Sequence, residues 1–175
     1  YRDVATWIDS LNEILSYDAL WLLPGHMAPI YSREEIQRRV GNFKDAIEYI
    51  LVNTLDCLNR GYTIDECVQA VQLPENYRND PLLGEFYGTV EWSVKSIYNG
   101  YVGWFDGNPT SLFPLPASEY NQVLLELIGY EKVVERVKSA MENKEYQLAL
   151  QLLELVNEPQ LKKTCLLERA VFMII

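Results

Sequence analysis

No basic run interrupts this chain. Its 25 Asp and Glu outnumber 15 Lys and Arg, for a formal net charge of −10. That balance argues against nucleic acid and anionic membrane as partners. No apolar stretch reaches the length of a transmembrane span, and Tyr1 opens no signal peptide. Cysteine is scarce. Cys57, Cys67 and Cys165 are odd in number, lack C-x-x-C spacing and each sit within a helical pattern. They build neither a metal site nor a disulfide framework, fix no compartment, and are expected as small buried hydrophobes. Histidine occurs once, as His26. An initiator Met is missing, and Val171-Phe-Met-Ile-Ile175 is bare apolar sequence, so the chain is expected to be an excised or processed piece.

What is present is apolar and periodic. Hydrophobic residues make up 49% of 175, enough for a sizeable core in one domain with at most a small appendage. Val4, Trp7, Ile8, Leu11, Ile14 and Leu15 recur at helical spacing and predict a helix over 3–16. Ala19-Leu-Trp-Leu-Leu23 is too short for a helix and reads as a buried strand ended by Pro24-Gly25. His26 follows at the strand's carboxyl end, where layered α/β folds assemble sites; a solvated loop histidine is the other reading.

Beyond Ser32 every readable signal is helical. Ser32, with Glu34 and Glu35 in the first turn, opens a long helix carrying Ile36, Val40, Phe43, Ile47, Ile50, Thr54 and Leu58, closed by Gly61. Its stripe is sustained over several heptads, which makes it the candidate pairing surface, although a buried bundle helix would show the same stripe. Thr63-Ile-Asp-Glu66 is a capping box for a short helix through Val71. Asn79-Asp80-Pro81 predicts the start of another, with Leu83, Phe86, Tyr87, Val90, Val94, Ile97, Tyr98 and Tyr101 on one face. Gly84 and Gly88 within it would cost about 1 kcal/mol each, offset by close approach of a neighbouring helix or backbone.

Tyr101-Val-Gly-Trp-Phe-Asp-Gly-Asn-Pro109, running to Pro116, cannot continue that helix: glycines, Asp and Asn turns and Pro109 forbid it. Its aromatics either line a pocket or seal a helical bundle. Ser118 is expected to cap a helix ended by Gly129. Helices over 130–142 and 144–156 follow, hinged at Asn143, with a last one from Glu158-Pro159. The stretch from Ala140 to Leu150 has the small-residue and aromatic rhythm of a helical repeat, with one copy where an array needs about three.

The order of these segments resembles the metallo-β-lactamase-fold alkyl sulfatases, from the end of the catalytic domain through the helical dimerisation domain. The matching pieces are Pro24-Gly-His-Met-Ala-Pro29, Asn59-Arg-Gly-Tyr-Thr63 with Glu66, Leu73-Pro74, Phe86-Tyr-Gly-Thr-Val90, Ile97-Tyr98 and the Tyr101–Pro109 segment. The resemblance implies a mainly α fold of antiparallel helical hairpins, tetratricopeptide-like towards the C-terminus, after a short α/β remnant. Residues 1–32 would be that remnant and 33–175 the dimerisation domain.

It also implies hydrolysis of alkyl sulfate esters to alcohol and sulfate at a two-zinc centre, in a homodimer, in proteins that are often exported. Family ligands are an H-x-H-x-D-H motif, two acidic residues and a final histidine, and His26 matches the last. The others are not in this sequence, so the chain alone is expected neither to hold a zinc pair nor to hydrolyse anything. A family tyrosine near the end of the central helix reaches the sulfate, and both Tyr98 and Tyr101 stand at that place. One departure is plain: Trp92-Ser93 replaces the common His-Asn. A helical dimerisation or interaction module without chemistry is the alternative reading, and a relative that cleaves a different ester is a third.

Overall fold

The computed structural model describes residues 3–174. Tyr1, Arg2 and Ile175, on which the reading of the two chain ends rests, lie outside the described residues. Among the described residues, nine α-helices, one 3₁₀ turn and one two-stranded antiparallel ladder make up the regular structure. The mainly α architecture is therefore the observed one. No described helix is long and apolar enough to cross a membrane.

The chain divides between Asn108 and Pro109 into two compact units. In the first, α1 (Val4–Ser16) starts at Asp3, whose carboxylate accepts from Thr6 N at 2.9 Å. It lies along α2 (Arg33–Asn59), a helix of 27 residues and about 40 Å. Between them β1 (Trp21–Leu22) and β2 (Ile30–Tyr31) pair Trp21 with Tyr31 and Leu22 with Ile30. The second strand has no counterpart in the expectation for 27–32, because two residues leave no alternation to read. The boundary expected at 32/33 stands inside this first unit.

Ser32 opens α2 at φ +72, its hydroxyl accepting from Glu35 N at 3.4 Å. Glu35 turns its carboxylate to Arg38 at 3.0 Å and Arg39 at 2.8 Å. Those two guanidiniums, Arg38 first, hold its pKa down at about 2. The apolar stripe of α2 is used inside the unit. Ile36 and Val40 join Leu11 and Ile30 in one cluster. Ile50, Leu51 and Cys57 join Ile8, Cys67, Val71, Val94, Ile97 and Tyr98 in another, and Ile47 packs against both. Most of the stripe read as a dimer surface is thus core, covered by α1 and by α5 (Val90–Val102), while Phe43 stays exposed. The periodicity of a bundle helix and that of a pairing helix are the same.

Gly61 takes φ +78 past the end of α2. Thr63 and Glu66 then make the reciprocal capping box of α3 (Ile64–Ala70), followed by the single turn α4 (Glu75–Arg78). Residues 80–89 correct the sequence reading: they form a loop, and α5 begins only at Val90, capped by Thr89 whose hydroxyl accepts from Trp92 N at 3.0 Å. The Asp80 carboxylate folds back on Leu82 N at 2.9 Å, a local bond that competes with helix initiation. Phe86 and Tyr87 are 88% and 99% exposed and lie on no buried helix face. Gly84 is tight against its own loop, since a Cβ there would meet the Phe86 ring at 2.4 Å; around Gly88 the space is open. No neighbouring helix approaches either.

The second unit begins with a 3₁₀ turn, Pro109–Ser111, and α6 (Ala117–Ile128). Pro116 precedes α6 without a side-chain cap, so Ser118 is its second residue and not its cap. Gly129 ends it at φ +93, as expected. α7 (Tyr130–Glu142) and α8 (Tyr146–Leu153) form a hairpin whose turn places Lys144 at φ +61, and α9 (Pro159–Ile174) packs on α8. Val133, Val137, Ala140, Ala149, Leu153, Val156 and Cys165 form this unit's core.

Candidate functional site

His26 sits in the loop joining β1 to β2, and its residue is exposed. The strand it follows belongs to an antiparallel hairpin and not to a layered sheet. The hairpin is anchored through Ile30 beside Ile36 and Val40. Among the described residues no group of three or more His, Cys, Asp and Glu is arranged to hold a metal ion.

The two tyrosines part company. Tyr98 is 7% exposed, its ring in the core with Cys67, Val94 and Ile97. Burial, and then the nearby Cys67, Asp106 and Glu66, push its phenol above the usual tyrosine range. Tyr101, one turn on, is 51% exposed. Along α2, Val40 and Cys57 stand about 26 Å apart at a rise of roughly 1.5 Å per residue. Ile30 of the hairpin belongs to the cluster around Val40, and Tyr98 to the cluster that includes Cys57.

The loop that follows α5 turns at Gly103 (φ +88) and Gly107 (φ +84), and the Asp106 carboxylate accepts from Asn108 N at 2.9 Å. Within it Trp104 is 76% exposed, its ring 5.8 Å from that of Phe105.

One concavity escaped the sequence reading. Between α1, α2 and the start of α5 lies an open, mostly apolar cleft of about 290 Å³, lined by Trp7, Ile47, Thr89, Trp92, Ser93 and Ser96 among others. Trp92, the residue that departs from the common family pattern, is on its wall; His26, Tyr98 and Tyr101 are not. The sequence signal for the cleft was a pair of tryptophans, Trp7 and Trp92, on helices whose apolar positions Ile8, Leu11, Val94 and Ile97 are core.

The family model for alkyl sulfatase dimerisation matches residues 63–166, more than half of the chain. The chain belongs to that family. Among curated relatives of this alkyl sulfatase dimerisation chain, a linear primary-alkylsulfatase from a Pseudomonas strain is 37% identical over 154 residues, 87% of this chain and 29% of the relative. An alkyl/aryl-sulfatase of Saccharomyces cerevisiae is 29% identical over 71% of this chain and 19% of its own length. An (R)-specific secondary-alkylsulfatase from Pseudomonas is 26% identical over 86% of this chain and 24% of its own. The chain thus spans between 19% and 29% of the curated relatives it matches. In shape it is similar to the stereoselective inverting sec-alkylsulfatase Pisa1 from Pseudomonas. The TM-score is 0.87 at 24% identity, over 97% of this chain and 28% of that one, a likeness of fold.

Proposed function

We propose that this chain is the dimerisation part of a zinc-dependent alkyl sulfatase that hydrolyses alkyl sulfate esters to alcohol and sulfate. Two copies pair through it, and it supplies one edge of the active site. The observation that carries the reading is the family match over 63–166, together with curated relatives that are named alkylsulfatases.

Zinc is tested by the donor set. A zinc ion takes about four ligands from His, Cys and carboxylates. A single exposed His26, with no cluster of such residues around it among those described, does not fit a zinc pair within this chain. No catalytic step is therefore drawn through the metal here. In the longer protein His26 would contribute one imidazole to a centre whose other ligands lie on other residues. Tyr101, exposed at the end of α5, is the better placed of the two tyrosines to donate to a sulfate oxygen, since Tyr98 is packed into the core. A second reading, a helical dimerisation module with no chemistry of its own, is supported by that same donor set.

The test is sulfate release from dodecyl sulfate by the longer protein, with and without a chelator and with zinc restored. Activity lost to chelation, regained with zinc and abolished by His26→Ala is the expected result. Full activity in His26→Ala would sink the ligand assignment. No sulfate release at all would favour the module, or an enzyme for a different ester. The 175-residue chain by itself is expected to release none.

A further inference from the structure

The three cysteines look alike in sequence, and the fold places them differently. Cys165 belongs to the core of the second unit, whose sequence holds no other cysteine. Cys57 and Cys67 share one core cluster of the first unit, 4% and 0% exposed. Cys57 lies in the last turn of α2 and Cys67 in the middle of α3, two helices that pack on each other. Gly61, at φ +78, makes the reversal between them. Tyr62 then ties the two residues together. Its amide N donates to Cys57 O at 3.1 Å, and its carbonyl accepts from the Cys67 thiol at 4.0 Å. The Cys67 thiol is also within hydrogen-bonding reach of the Cys57 side chain.

We propose that Cys57 and Cys67 are a latent disulfide, closed by a low-molecular-weight disulfide oxidant and locking α3 onto the end of α2. Access comes through α3. It has seven residues, too few to hold as an isolated helix, and Cys67 is its one fully buried side chain. Short elements with few buried contacts open locally without global unfolding, and such an opening brings the Cys67 thiol to solvent. Its thiolate attacks one sulfur of the oxidant, forming a mixed disulfide and releasing the other half as a thiolate. When α3 closes again, the Cys57 thiolate attacks the Cys67 sulfur, forms the Cys57–Cys67 bond and expels the second half. Two protein thiols are thereby oxidised and one oxidant disulfide is reduced to two thiols, which take up the two protons. The bond closes the loop from 57 to 67 and removes freedom from the unfolded chain. Cys165 has no second cysteine in its unit to complete the second step, which makes it an internal control. The pair stands whether or not the longer protein hydrolyses sulfate esters.

The reduced 175-residue chain is held with oxidised glutathione at pH 8 for hours, quenched with acid, and its thiols are counted in denaturant. The count is expected to fall from the three free cysteines to one, with a peptide map that joins Cys57 to Cys67 and leaves Cys165 free. Dithiothreitol should restore all three. All four tryptophans lie in the first unit, so their fluorescence follows its unfolding. By that signal the oxidised chain should unfold at a urea concentration about 1 M above that of the reduced chain. Cys165→Ala should oxidise as the parent does, and Cys57→Ala should stop at a mixed disulfide on Cys67. Three thiols persisting in the parent, or a map that joins Cys165 to either partner, would overturn the pair. A midpoint unchanged or lowered by the bond would overturn the lock. Should Cys57→Ala fail to fold, the peptide map and midpoint of the parent decide alone.

Discussion

Asn42 and Asp80 are joined across thirty-eight residues: Asn42 Nδ2 donates to Asp80 Oδ2 at 2.9 Å. The other carboxylate oxygen accepts from Leu82 N at 2.9 Å, so one buried side chain both turns the 80–89 loop and ties it to α2. The Leu82 amide first, and Asn42 second, hold the Asp80 carboxyl below its ordinary range. A carboxylate whose folded pKa is depressed stabilises above its unfolded value and loses that contribution as pH falls through the folded one. Asn42→Ala should therefore cost about 1–3 kcal/mol at neutral pH, because it strips a partner from a buried acceptor. The gap to the parent should narrow as the pH falls below the ordinary carboxylate range and through the depressed pKa of Asp80. Urea unfolding of both chains at pH 7 and at pH 3 measures this; equal midpoints at pH 7 would refute it.

The capping box at α3 is a second, local test. Thr63 Oγ1 accepts from Glu66 N at 3.3 Å, and the Glu66 carboxylate returns to Thr63 N at 2.8 Å. Thr63→Ala removes one half of the exchange and is expected to cost about 1 kcal/mol, with Thr63→Ser restoring most of it. The cap holds Cys67 and Val71 in the first unit's core, so the loss should appear in global unfolding and not only as fraying. A denaturation midpoint unchanged in Thr63→Ala would show that α3 docks without its cap.

The same residues show how far the sequence could be read. α1, α2, the Thr63–Glu66 box and the α7–α8 hairpin each rest on a signal contained in a few neighbouring positions: a period, a cap, a positive-φ glycine. Those signals survive into the structure. The stretch 80–89 failed because Asp80 has two uses, helix cap and turn, and the choice falls to Asn42, a residue far away in sequence. β2 could not be seen because two residues carry no pattern. The α2 stripe was legible as apolar but not as to what covers it, since α1 and a copy of the chain would leave the same imprint. The cleft beside Trp92 belongs to three helices at once and to no motif.

Thiol chemistry checks the first core directly. Cys67 is fully buried, and burial first, with Cys57 close by, pushes its thiol up to about 11. The thiolate is the reactive form, and an ordinary cysteine has a pKa of about 8.5, so at pH 8 Cys67 should offer roughly a hundredfold less of it. Cys57 and Cys165 are buried too. An Ellman titration of the native chain at pH 8 should count almost no thiol over minutes and all three in denaturant. One fast-reacting native thiol would show that a core opens readily.

Phe43 and Ile47, adjacent on the α2 stripe, should respond differently to charge. Ile47 is partly buried and packs against both clusters of the first unit, so Ile47→Glu places an unpaired carboxylate where two cores meet. A loss of about 3 kcal/mol or more is expected, with helicity falling at moderate temperature. Phe43 is 38% exposed, and its ring stands edge-on to Trp7 at a centroid distance of 5.6 Å. Phe43→Glu gives up that aromatic pair but can solvate its charge, for a cost of about 1 kcal/mol and little change in helicity. A folded Ile47→Glu chain of parental stability would show that the two clusters do not depend on the residue between them.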